Sequence, residues 1–140
     1  RILTEAVLPY CADNGQAFAM MIGVRRNVNP SLRMAGDSLD AADVISVENI
    51  CNHFPKNRFI CTMLARENQH ALCIDARKFA NLHIFGCWWF LNNPSLIEEI
   101  TRMRIELLGL NVTPQHSDCR VMDQLGYKWA HSRPAASDPS

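Results

Sequence analysis

"RFICTMLARENQHALCIDARKFANLHIFG", residues Arg58 to Gly86, decides how this chain folds. It opens with a nearly continuous apolar run, Arg58 to Leu64, and passes through a polar turn into a helical pattern. It closes with a second apolar run, Leu82 to Gly86. Runs this short and this uniformly apolar are expected of strands covered on both faces in a parallel sheet. Between them, Ala71, Leu72, Ile74, Ala76 and Phe79 fall on one broad helical face. A strand, a crossover helix and a second strand in that order make a βαβ unit.

The same alternation extends outward on both sides. "AFAMMIG" (Ala17 to Gly23) precedes the stretch as another strand candidate, and "NVTPQHS" (Asn111 to Ser117) follows it as a fourth. "SLDAADVISVENICNHF" carries Leu39, Val44, Ile45, Val47, Ile50 and Phe54 near a 3.6 period, with Ser38 placed to cap. "NPSLIEEITRMRIELLG" is the clearest helix. Pro94 or Ser95 starts it, Glu98 and Glu99 occupy its early turns, and Gly109 ends it in a left-handed position. "CRVMDQLGYKWAHS" is the last helix candidate, and "RILTEAVLPYCADNG" reads as a helix before the first strand, closing at Asn14-Gly15. The order is one helix, then strand–helix four times. Two architectures fit: a doubly wound open sheet, or part of a (β/α)8 barrel. A full barrel takes roughly 250 residues, so four units supply half of one.

Composition narrows the function classes. The 140 residues carry no formal net charge and are 48% hydrophobic, ordinary for a globular domain. Balanced charge argues against nucleic acid or a membrane surface as partner. No apolar run approaches the roughly 18 residues that cross a bilayer. Six cysteines are scattered without a C-x-x-C pair, and Cys61, Cys73 and Cys87 lie in apolar contexts. That suits buried thiols in a reducing cytoplasm better than a disulfide framework. The chain starts at Arg1 inside an amphipathic pattern and ends on the polar, proline-rich 134–140, read as a frayed tail after a 1–133 domain. We therefore expect a piece of something longer.

In either architecture, binding groups gather at the carboxyl ends of parallel strands. Those ends carry Arg25, Arg26 and Asn27; Arg66, Glu67 and Asn68; Cys87, Trp88, Trp89 and Asn92; and His116, Asp118 and Arg120. "VRRNVNPSLRMAGD" (Val24 to Asp37) has the length of a functional loop. Guanidinium groups, paired indoles and a carboxylate beside an imidazole suit a small anionic, polyhydroxylated molecule. Each group also has a plainer reading. Asp118 would cap the last helix, the two tryptophans would be core, Arg25-Arg26 a solvated loop, and Arg66-Glu67-Asn68 a helix start. His116 and Asp118 would share one face of an extended strand. His53, His70, His83 and His131 have no metal-ligand spacing. H-x-H, H-E-x-x-H, G-x-G-x-x-G and G-x-S-x-G are all missing from the 140 residues.

Four strings go further: "FAMMIGVRRNVNP", "TMLARENQHAL", "IFGCWWFLNNPSLIEEITRMRIELLG" and "PQHSDCRVMDQLGYKWAHSR". In order and spacing, from about Arg1 to Arg133, they resemble the C-terminal half of uronate (glucuronate) isomerases, of the amidohydrolase superfamily. The resemblance implies strands five to eight of a (β/α)8 barrel, a half barrel. It also implies interconversion of D-glucuronate with D-fructuronate, and of D-galacturonate with D-tagaturonate, by proton transfer between C1 and C2. Asp118 matches an aspartate that ligates a divalent metal, commonly zinc, and takes part in proton transfer. Arg120 matches a substrate-binding arginine. The Trp88-Trp89 pair matches a motif that gives the pocket a tryptophan, with Trp89 favoured for contact. Cys119 departs from the small residue expected there. Arg66 is a candidate only by its place at a strand end. The family's H-x-H ligands and a histidine–tyrosine pair are not in these residues, so the isolated chain is expected to bind metal weakly and not to isomerise uronates. A half barrel is expected to self-associate as a homo-oligomer or to pair with an N-terminal half. The alternatives are a non-catalytic, self-associating half-barrel module and a metal-dependent hydrolase of the same superfamily.

Overall fold

The computed structural model describes residues 1–116, 118, 119 and 121–137. The chain begins with one helix, wound as a π-helix over Leu3–Val7 and as an α-helix, α1, over Leu8–Asp13. The wider winding lies next to Pro9, which has no N–H to return to the preceding turn. Gly15, at φ 64°, then turns the chain into β1 (Ala17–Ile22). The next strands are β2 (Val24–Arg25) and β3 (Ser38–Leu39), which pair antiparallel and close off the long loop between them. β4 (Arg58–Met63) and β5 (Leu82–Ile84) join β1 in a parallel sheet of order β1-β4-β5. The register sets Ala17 beside Arg58 and Ile22 beside Met63, and on the other edge Phe59 beside Leu82 and Cys61 beside Ile84.

Helices follow the strands. α2 (Val44–His53) leads into β4, and α3 (Gln69–Lys78) links β4 to β5. α4 (Pro94–Leu108) and α5 (Asp123–Ser137) complete the chain. The mixed α/β fold, with its parallel sheet and alternating strands and helices, is consistent with part of a barrel.

Three expectations change. The helix drawn from Ser38 starts at Val44, and Asp43 caps it by accepting from the Ile45 N–H at 3.1 Å. Ser38 sits instead opposite Arg25 in the small ribbon. The fourth run, Asn111 to Ser117, contributes one parallel bridge among the described residues, Phe85 to Thr113. Its bonds run from the Gly86 N–H to the Thr113 carbonyl (2.8 Å) and from the Thr113 N–H to the Ile84 carbonyl (3.0 Å). Pro114 follows at once and has no N–H with which to continue the ladder. Lastly, α5 begins at Asp123 and reaches Ser137, so 134–137 of the expected tail are helical and 138–140 lie outside the described residues.

The core sits on one side of the sheet. Phe59, Cys61, Met63, Leu82 and Ile84 are buried there with Leu8, Val47, Cys51, Leu72, Cys73 and Ala76. Burying each large side chain contributes about 1.5–3 kcal/mol. Strand alternation turns Ala17, Ala19 and Met21 of β1, with Arg58 beside them, toward the other side, where all four are exposed. A smaller cluster of Cys87, Leu91, Ile97 and Ile100 packs the turn after β5 against α4. Cys61, Cys73 and Cys87 are buried thiols, as their apolar contexts imply, and Cys11 and Cys51 are buried as well. No described helix is long and apolar enough to cross a membrane.

Candidate active site

The carboxyl end of β5 delivers the first part of the site. Gly86 takes φ 63°, and the chain bends through Cys87 and Trp88 into a 3-10 turn, Trp89–Leu91. Trp88 is buried, 7% exposed, and its Nε1–H donates to Asp118 Oδ2 at 2.9 Å. Trp89 is half-buried, stacks on Phe90 with ring centroids 4.5 Å apart, and lies tilted against Trp88 at 6.1 Å.

Asp118 is exposed, with its carbonyl accepting from Lys128 Nζ at 2.9 Å. Its carboxylate is aimed by the indole and not by a helix: α5 starts five residues later, so Asp118 does not cap it. Trp89 and Asp118 both hold positive φ, 46° and 40°. That is sparsely populated ground for non-glycine residues, and such strain concentrates where side-chain placement matters. His116 and Asp118 are not part of a strand, and Asp118 itself lies outside extended geometry. His116 packs its ring on Phe85 at 4.9 Å and against Gly86. Burial holds its pKa below the usual imidazole value, opposed by Asp118 and helped by Lys128 and Arg104.

These groups open onto a cavity of about 600 Å³ lined by Trp88, Trp89, Asn92 and Asp118, with Arg26 from the first strand end and Lys128 from α5. Arg26 is ion-paired with Asp37, which also accepts from the Asn27 N–H at 2.9 Å. The backbone bond first, and Arg26 second, hold the Asp37 carboxyl below its ordinary range. The cavity wall thus combines two indoles, the Lys128 ammonium, an Arg26 guanidinium already paired with Asp37, and one oriented carboxylate.

With that geometry in view, likeness to solved proteins decides the reading. The uronate isomerase of Bacillus halodurans is 52% identical and superposes with a TM-score of 0.93, over 96% of this chain and 32% of that one. The uronate isomerase of Thermotoga maritima, 18% identical with a TM-score of 0.82 over 92% of this chain, shares the fold. The chain spans 32% of the length of each of these enzymes. No family model and no curated protein matches it.

Set against the sequence expectations, the chain brings Trp88, Trp89 and Asp118 together. It does not bring Arg66 with them. Its guanidinium binds Glu99 of α4 through Nε at 2.9 Å and Nη2 at 2.8 Å, and it is absent from the cavity wall. Arg120 lies outside the described residues. Tyr127 and Lys128 of α5 were missed, because they sit mid-helix and not at a strand end. No three His, Cys, Asp or Glu side chains among the described residues converge as metal ligands. Asp118 offers one carboxylate, already engaged by an indole. The described residues therefore do not by themselves fit the divalent ion that the resemblance implies.

Proposed function

We propose that this chain is part of a uronate isomerase, corresponding to strands five to eight of its barrel, and that the cavity receives an open-chain uronate. The reactions are D-glucuronate to D-fructuronate and D-galacturonate to D-tagaturonate. The observation that carries this reading is the Asp118 carboxylate, fixed by the Trp88 N–H at 2.9 Å on the rim of a cavity that also presents cations. Trp89 offers an aromatic face to the C–H side of the sugar chain. Lys128 supplies positive charge for the uronate carboxylate, and by resemblance Arg120 would bind substrate. Asp118 accepts the C2 proton and returns it to C1, while the C2 hydroxyl proton passes to the C1 oxygen, so that the enediol collapses to the ketose. By resemblance Asp118 would be one ligand of a divalent cation, zinc in the family, and the described residues do not supply the others.

The test is Asp118→Asn in the full-length protein. Turnover of D-glucuronate should fall about 10²–10⁴-fold with folding intact; near-normal activity would remove Asp118 from the chemistry. The purified 140-residue chain should show no turnover at all.

A further inference from the structure

Arg104 is the largest of the fully buried side chains, 1% exposed on α4. Among the described residues no carboxylate pairs with it. Its Nη1 donates to the Gly86 carbonyl at 2.7 Å, and its Nη2 donates to Gln69 Oε1 at 2.8 Å. Gln69, itself 1% exposed, uses its Nε2 to donate to the carbonyls of Met63 (2.8 Å) and Ala65 (3.0 Å). Two side chains thus clamp the carboxyl ends of β4 and β5 together. On its other side Gly86 is held to Thr113, and the Cys87 N–H donates to Gln115 Oε1 at 3.3 Å. The residue after Cys87 is Trp88.

For stability alone, an apolar side chain of equal volume often serves as well as or better than a guanidinium buried without a carboxylate partner beside Cys61, Cys73 and Cys87. What the guanidinium does uniquely is hold two carbonyl ends, through a rigid fork, at a fixed spacing.

We infer that Arg104 is a positioning residue: through the Gly86 carbonyl it sets the turn that carries Trp88, and through the indole N–H it sets the Asp118 carboxylate. Part of this rests on the isomerase reading, because its effect on turnover presupposes that reaction. The indole contact does not depend on it.

The experiment uses the full-length protein with Arg104→Lys, which keeps the charge but cannot span both acceptors, and Gln69→Met, which removes the other arm. The Trp88 indole N–H resonance, identified by its loss in Trp88→Phe, reports the contact. In both variants it should move toward the position of an unbonded indole, with kcat lowered about 10²-fold and KM nearly unchanged, as expected for a misplaced catalytic group. An unmoved resonance in folded variants would overturn the proposal. So would failure of both variants to fold, which assigns the clamp to stability alone. A shifted resonance in a protein with no wild-type uronate turnover would uphold the positioning and sink the isomerase reading instead.

Discussion

Asp118 and Trp88 were strand-end candidates in sequence, with a helix cap and a core position as their plainer readings, and the structure sets them in hydrogen-bond contact beside one cavity. Arg104 was not legible. In sequence it follows Arg102 on an amphipathic helix and looks like one more solvated cation, and only the fold shows it turned into the core. Asp75 is similar. It sits on α3 at 7% exposure, and burial first, then the neighbouring Glu48 carboxylate, push its pKa up from 3.8 to about 6. Above about 6 the folded protein carries a buried carboxylate beside another acid, at a cost the unfolded chain does not share. As pH falls from 6 toward 3.8 the folded state takes up a proton that the unfolded state does not, so this group's contribution to stability improves. Asp75→Asn, whose amide can donate to Glu48, should therefore raise the melting temperature at pH 7–8, and the gain should vanish near pH 4. A pH-independent difference in melting scans would count against that account.

Strands and helices were read well where hydrophobic pattern alone sets them. β1, β4 and β5 lie where continuous apolar runs placed them, and α4 starts at Pro94 with Asn93 accepting from the Leu96 N–H at 3.2 Å. The misreadings occurred where backbone chemistry overrides pattern. Pro114 cut a β-branched run to a single bridge, and Asp43 took the capping role expected of Ser38. The turn after β5 shows how tight such a junction is. A methyl group on Gly86 would stand 1.8 Å from His116 Cδ2, on a backbone at φ 63°. Gly86→Ala should cost at least about 1–3 kcal/mol, measured as a drop in the denaturant midpoint. An unchanged midpoint would mean the turn yields freely.

For the molecule as a whole, the order of alternation was plain from sequence, but a half barrel and an open sheet could not be separated by period alone. Specific strings favoured the barrel, and the likeness over 96% of the chain to a solved uronate isomerase agrees with them. One side of the sheet stays open at Ala17, Ala19 and Met21. We expect the isolated chain to self-associate through that side or through the edge of β1; sedimentation showing a single monomeric species across micromolar concentrations would contradict this. The middle position of β4 has a different consequence. It is hydrogen-bonded to β1 on one edge and to β5 on the other, and its apolar side lies in the main core. Its amide protons should outlast all others in deuterium exchange, those of β1 should be lost earlier, and the last protected segment, Arg58–Met63, should report global unfolding.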